Sequence, residues 1–222
     1  MTFSFDWGVL WRYRDQLLSG FAVTLSLSIL GLIGALAIGI LAGIGGAGAS
    51  RPLRLVAATY VELARNIPLL VHLYIWYLAL SALRLPAFLC GVLALAIYSG
   101  AYVAEIVRSG IQSVPGGQRA AALASGLSPR QAFRHVIYPQ AFRIVAPSLA
   151  GLFSQLIKDS SLASVISVAE LTFVGGSIES DTFRTFEAYT AITVFYLIAV
   201  TGVSQLALWG LRGRAVDPAM RY

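Results

Sequence analysis

Two groups of polar side chains interrupt long apolar stretches of this sequence. Within a membrane, an ionisable side chain costs roughly 2.5–3.5 kcal/mol on insertion scales, so such residues are candidates for a functional site. A carboxylate can hold an ammonium group, and a cation or hydroxyl groups can hold a carboxylate, so the set fits a zwitterionic ligand. The members are Glu62, Arg65 and Asn66 in the first group and Lys158, Asp159, Ser160 and Ser161 in the second.

The first group is spaced for one face of a helix, because its members are three or four residues apart. Pro68 has no N–H and would leave the carbonyl of Ala64 without its helical donor. A carbonyl freed beside charged side chains is typical of polar sites at membrane depth. An internal Glu62–Arg65 ion pair that only braces the bundle fits the same spacing. His72 is expected to be a packing or interface residue rather than a ligand.

In the second group, Lys158 and Asp159 point in adjacent directions on a helix and cannot both face lipid. At least one must therefore face a cavity or another subunit. A position along a substrate pathway is favoured, and hydrogen bonds between helices are the alternative.

The amino-acid composition is typical of a membrane protein, so these polar groups are expected to lie within a bilayer. Of 222 residues, 58% are hydrophobic and 12% are charged, about half the charged share of a soluble domain. Disorder is excluded and a soluble globular chain is disfavoured. The net charge of +6 is assigned to cytoplasmic loops rather than to nucleic acid, since the charges lie between apolar runs.

Five apolar stretches are long enough to span a bilayer, which takes about 20 residues. The sequence therefore predicts an all-α integral membrane protein with five transmembrane helices in a single domain over residues 1–222. The predicted spans are 16–50, 55–83, 85–108, 141–171 and 187–211, with a loop at 109–140. On the first span, Ala35, Gly39, Gly43 and Ala47 recur every four residues, a small-residue stripe that lets another helix approach closely.

The arginines predict the orientation of these spans. Ten lie in one alternating set of loops and four in the other, so the first set is cytoplasmic by the positive-inside rule, with the N-terminus outside and the C-terminus inside. The ten are Arg51, Arg54, Arg108, Arg119, Arg130, Arg134, Arg143, Arg212, Arg214 and Arg221; the four are Arg12, Arg14, Arg84 and Arg184.

Known catalytic motifs are missing from the sequence. The only lysine, Lys158, lies between Ile157 and Asp159, so there is no phosphate-binding loop of the P-loop type. No Cys/His cluster could hold zinc, and no nucleophile elbow occurs. We therefore expect no enzyme activity, cofactor or metal in this chain, and any energy must come from a partner.

The loop at 109–140 is the most informative segment. Residues 118–125 favour a helix, Gly126 a stop, and Ser128 with Pro129 the cap and first residue of a second helix. That helix is amphipathic and is expected to end before Pro139. A helix resting on the membrane surface, a DNA-binding helix-turn-helix and a docking element for another protein's groove are the alternatives. Docking is favoured, because the loop is held at both ends by spans.

Residues 120–139 read AAALASGLSPRQAFRHVIYP and resemble the cytoplasmic loop of ATP-binding-cassette (ABC) importer permeases. That pattern is E-A-A, three residues, Gly, nine residues, I-x-L-P. Ala120 stands where it has Glu, Val136 where it has Ile and Tyr138 where it has Leu. The loss of the glutamate leaves Arg119 or Gln118 to help fix the loop.

Other motifs resemble the polar amino acid permeases of that superfamily, and the likeness extends over residues 15–212. They are YVELARNIPLLVHLYIWYLAL (60–80), YVAEIVRSGIQSVPGGQ (102–118), PQAFR (139–143) and KDSSLASVISVAEL (158–171). The resemblance implies two ATPase subunits that bind ATP and Mg, a second permease of the same or another kind, and an extracytoplasmic substrate-binding protein. It also implies the bacterial inner membrane, with lipid around the spans.

The sequence therefore predicts the permease subunit of an ATP-driven importer of polar amino acids. A channel or ion-coupled amino acid transporter working without an ATPase is the main alternative, and an intramembrane enzyme is disfavoured. The two groups of polar residues would line the substrate pathway. The predicted ATPase-coupling loop uses Arg119, Ala121, Ala122, Gly126, Ser128, Arg130, Phe133, Arg134 and Pro139.

Overall fold

A computed structural model describes residues 5–48 and 50–212, and every regular element in these ranges is helical. Four helical segments are long and apolar enough to cross a membrane: Arg14–Ala47, Ala87–Ser113, Pro129–Ile166 and Thr185–Ala207. Arg214 and Arg221, two of the predicted cytoplasmic arginines, lie outside the described residues. The α-helices are α1 (Gly8–Arg12), α2 (Arg14–Ala47), α3 (Arg51–Asn66), α4 (Leu69–Ala79), α5 (Ala87–Ser113), α6 (Gly116–Ala124), α7 (Pro129–Ala132), α8 (Tyr138–Asp159), α9 (Leu171–Thr182) and α10 (Thr185–Arg212).

The predicted second span is divided into two helices. α3 ends at Asn66 and α4 begins at Leu69, with Ile67 extended (φ −98°, ψ 128°) before Pro68. Proline disfavours the helical conformation in the residue before it, which explains the break. α4 is a shorter apolar helix of 11 residues, so the polar residues of α3 lie beside a joint rather than within one straight helix.

The small-residue stripe of α2 packs against α5. Ala35, Gly39 and Gly43 of this stripe are buried, whereas Ala47 is only partly buried. A Cβ atom built on Gly39 would lie 2.5 Å from the carbonyl oxygen of Gly100, and one on Gly43 would lie 2.7 Å from that of Ala104. The two helices therefore approach at backbone distance, as the spacing predicts.

The expectation that Pro139 ends the second loop helix is wrong. A π-helical turn at Phe133–Ile137 leads directly into α8, and Pro139 lies in the first turn of that helix. Pro139 has no N–H to donate to the preceding turn, and the wider π-turn makes room for its ring. The segment from Pro129 to Ile166 is consequently one continuous helical path, so the loop is joined rigidly to a membrane span.

A buried carboxylate positions α9 at the far end of this path. Glu170 is fully buried and caps α9 by accepting hydrogen bonds from the main-chain N–H groups of Thr172 (2.9 Å) and Phe173 (2.8 Å). It also accepts a hydrogen bond of 2.8 Å from the hydroxyl group of Tyr196 on α10. These bonds satisfy orphan donors at a helix start and tie α9 to α10.

Candidate functional site

Arg65 of α3 lies over an aromatic pair on α5. Its guanidinium carbon is 5.0 Å from the ring centroid of Tyr102. The Tyr102 hydroxyl is 3.2 Å from that of Tyr98, and the two rings are 5.2 Å apart. A guanidinium over an aromatic ring keeps its N–H donors free at the edges. The arrangement presents a cation and two hydroxyl groups toward one space.

Asp159 of α8 interacts electrostatically with a member of the same tyrosine pair. It lies within electrostatic range of Tyr98, as does Arg65. Its Oδ1 accepts a hydrogen bond of 2.8 Å from the side-chain amide of Gln155. The structure therefore places Arg65 and Asp159, which are far apart in the sequence, within electrostatic range of one tyrosine.

The other members of the second polar group have different surroundings. The side chain of Lys158 is exposed. Ser160 donates a 2.7 Å hydrogen bond to the carbonyl of Ile157, and Ser161 donates one of 2.7 Å to the carbonyl of Lys158. Both hydroxyl groups are thus committed to their own stretch of helix, whereas Asp159 is within electrostatic range of Tyr98.

A charged cleft of about 360 Å³ lies between α2, α3 and α5. Glu62 and Arg65 both line it, as the sequence predicts for one helix face. Arg54, Glu105, Arg108 and Gln112 also line it, and none of these four was assigned to the substrate pathway from the sequence. The cleft has room for a small polar solute.

The Glu62–Arg65 ion pair suggested as an alternative is not formed, since these side chains make no ion pair within 4.0 Å among the described residues. The pair that forms in the cleft is Glu105 with Arg108, held by two hydrogen bonds of 2.6 and 3.0 Å. Their spacing of three residues was the available signal.

The carbonyl of Ala64, expected to be free because of Pro68, is occupied. The Nε2 atom of His72 lies 3.1 Å from this oxygen. The expectation of a carbonyl without a hydrogen-bond donor is therefore wrong. The side chain that bonds to this carbonyl belongs to α4, which begins after the break.

In the loop, α6 ends as the sequence predicts. Gly126 has φ +83°, its N–H donates to the carbonyl of Leu123 (3.0 Å), and the N–H of Leu127 donates to that of Ala122 (3.2 Å). These two bonds define a Schellman motif, in which glycine is favoured because the left-handed conformation strains other residues.

The next helix begins with a capping box. The N–H of Gln131 donates to the hydroxyl of Ser128 (3.3 Å), and the N–H of Ser128 donates to the amide oxygen of Gln131 (2.9 Å). Pro129 occupies the first helical position. Each bond satisfies an orphan donor, so the short helix has a well-defined start.

The loop rests on the bundle through an apolar cluster. Val114, Ile137 and Ala141 are buried together, with Ile111 and Phe133 packed against them. Ala122 and Ala132 are also buried. The side chains on the outer surface are Arg119, Ala121, Arg130, Gln131, Arg134, His135 and Pro139. The loop therefore exposes a basic surface on one side and packs against the helices through apolar side chains on the other.

Residues 35–212 match the family described as "Binding-protein-dependent transport system inner membrane component". The chain belongs to this family. It is 41% identical over 198 residues to the glutamine transport system permease protein GlnP of Escherichia coli K12, with 87% of this chain and 90% of that protein covered. It is 38% identical over 198 residues to the probable glutamine ABC transporter permease protein GlnM of Bacillus subtilis, with 88% and 92% covered.

Solved transporters contain the same fold. A chain from the crystal structure of an amino acid ABC transporter with histidines superposes with a TM-score of 0.87 at 37% identity, over 95% of this permease and 99% of that chain. A chain of the inward-facing methionine transporter MetNI superposes with a TM-score of 0.82 at 17% identity, over 92% of this permease and 99% of that chain. The resemblance to ABC importer permeases is confirmed, whereas the five-span count, the orientation and the individual site residues stay predictions.

Proposed function

We propose that this permease carries polar amino acids across the bacterial inner membrane, driven by ATP that partner subunits hydrolyse. The observation that carries the proposal is the contact of Arg65 with the Tyr98–Tyr102 pair, with Asp159 in electrostatic range of Tyr98. These groups come from three helices. Relatives named as glutamine and glutamate/aspartate permeases support the same substrate class.

The chemistry of this meeting point suits an α-amino acid. The guanidinium of Arg65 can hold the α-carboxylate through two parallel N–H donors, and the carboxylate of Asp159 can hold the α-ammonium group. Both charged ends would be recognised while the side chain of the solute stays free, so selectivity by side chain could be left to another subunit. The cleft lined by Glu62 and Arg65 would continue the pathway away from this point.

A second permease, of the same or another kind, would cover the face that carries Lys158. This side chain is exposed and lies about 22 Å along the helix from Arg143, at 1.5 Å per residue. A lone ammonium group at that depth is too costly to leave against lipid. The same argument applies to the exposed carboxylate of Glu62, so a partner surface with complementary polar groups is expected at both places.

The loop from Arg119 to Pro139 would couple the permease to ATPase subunits. Its basic outer surface, carrying Arg130 and Arg134, is exposed, while its apolar side is seated on α5 and α8. Since the segment from Pro129 to Ile166 is continuous, a push on the loop would move the span that contains Asp159. Two ATPase subunits would supply ATP and Mg, and a substrate-binding protein would deliver the solute from the opposite side, with the N-terminus outside.

Reconstitution tests the proposal. The permease, co-expressed with its ATPase, is expected to take up radiolabelled glutamine into proteoliposomes only with internal ATP and external binding protein. Uptake that persists without ATP would favour a channel or an ion-coupled transporter instead.

A substitution in the loop tests the coupling role. Gly126→Ala is expected to reduce substrate-stimulated ATP hydrolysis at least about fivefold, because φ +83° strains any side chain by about 1 kcal/mol and shifts the turn. Gly117→Ala is the matched control, since Gly117 lies in α6 with open space around it. Equal ATPase rates for the two variants would contradict the role of this turn.

A further inference from the structure

His72 is a buried imidazole that the proposed substrate contacts do not include. It is 6% exposed, and its Nε2 atom lies 3.1 Å from the carbonyl oxygen of Ala64. A carbonyl oxygen only accepts hydrogen bonds, so Nε2 is the donor and carries a proton. The imidazole thus supplies the donor that the proline at position 68 cannot.

This bond closes the joint between α3 and α4. In an uninterrupted helix the N–H of residue 68 would bond to Ala64, but Pro68 has none and Ile67 is extended. The replacement donor comes from eight residues away, across the bend. The bond therefore ties the side chain of α4 to the end of α3 and favours the observed bend between them.

The same imidazole also touches the substrate-facing tyrosines. The rings of His72 and Tyr98 are 5.6 Å apart in an edge-to-face contact at 64°, a favourable geometry for aromatic pairs. Tyr98 in turn contacts Tyr102, on whose ring Arg65 rests. His72 therefore contacts both the joint that carries Arg65 and the tyrosine pair that Arg65 faces.

We propose that His72 is a positioning residue of this permease. By bonding to the Ala64 carbonyl and packing on Tyr98, it holds the bend between α3 and α4 and so sets Arg65 against the tyrosine pair. It touches no substrate itself. The inference rests on the proposed function only in taking Arg65 and Asp159 as the substrate contacts.

Thermal unfolding of the purified transporter tests the bond without any substrate. His72→Leu is expected to lower the unfolding midpoint by about 3–8 °C, because it leaves a buried carbonyl unsatisfied. His72→Gln, which keeps an amide donor, should recover most of that shift. In a Pro68→Ala background residue 68 regains its N–H, so His72→Leu should cost less than half as much. An equal cost in both backgrounds, or no recovery by glutamine, would overturn the proposal.

Uptake of glutamine into proteoliposomes tests the positioning role. We expect His72→Leu to raise KM about tenfold with basal ATP hydrolysis unchanged, and His72→Gln to stay within about twofold of the wild type. A lower unfolding midpoint with an unaltered KM would make His72 merely structural and defeat the inference. If the wild-type transporter takes up no glutamine, the proposed substrate is contradicted instead. The unfolding measurements would still test the hydrogen bond between His72 and the Ala64 carbonyl.

Discussion

Gly39→Ala is expected to destabilise the protein by more than about 3 kcal/mol, well above an ordinary surface change. The added methyl group would lie 2.5 Å from the Gly100 carbonyl oxygen and would also meet the side chain of Val103. Because one of these obstacles is a backbone atom, which no rotamer change can move, α2 and α5 would have to separate along much of their shared length. The midpoint of thermal unfolding in detergent and the yield in the membrane fraction both measure the effect.

Gly45→Ala is the matched control, because it makes the same chemical change on the same helix. Nothing lies within 4 Å of a Cβ atom at Gly45, so the substitution should be neutral or stabilise the helix by about 0.5–1 kcal/mol. Similar unfolding midpoints for the two variants would show that α2 and α5 do not meet at backbone distance.

Arg65→Gln is expected to raise the KM for glutamine uptake about 10–100-fold. This change corresponds to the loss of one charge-assisted hydrogen bond to the carboxylate of the substrate. The change removes the cation that lies over Tyr102. It leaves intact the coupling loop and the apolar cluster by which that loop packs on the bundle. Basal ATP hydrolysis should therefore persist while its stimulation by substrate is lost.

Arg51→Gln provides the comparison for Arg65→Gln, since Arg51 is an exposed arginine on the same helix that does not line the cleft. We expect its KM to stay within about twofold of the wild type, as surface charges away from a site contribute little. If both variants transport glutamine equally well, Arg65 does not hold the substrate.

The local features of the loop could be predicted from the sequence. The helix stop at Gly126, the cap at Ser128 and the amphipathic helix after it all appear where expected, and the structure adds the capping-box partner Gln131. Each depends on residues within one or two turns of chain, so spacing and residue type contain the information. The glycine stripe of α2 was predictable for the same reason, although its partner helix was not.

Predictions about which groups bond to the main-chain N–H and C=O groups at helix ends were less successful. Pro139 does not end the loop helix, because a π-turn at Phe133–Ile137 makes room for the proline ring. The Ala64 carbonyl is not free, because His72 bonds to it from the next helix. In both cases local rules name a missing hydrogen bond correctly, yet cannot say which part of the chain compensates for it.

The amino-acid sequence by itself determined the class of protein, the loop motif and the two polar groups that apolar surroundings make conspicuous. Only the tertiary structure decided which contacts these residues make: Arg65 lies over Tyr102, whereas Ser160 and Ser161 bond to their own main chain. It also added Tyr98 and Tyr102, which in an apolar span look like ordinary hydrophobic residues. The physical reason is that a membrane penalises every buried charge alike, whereas a site depends on distances between helices, and those follow from packing across the whole bundle.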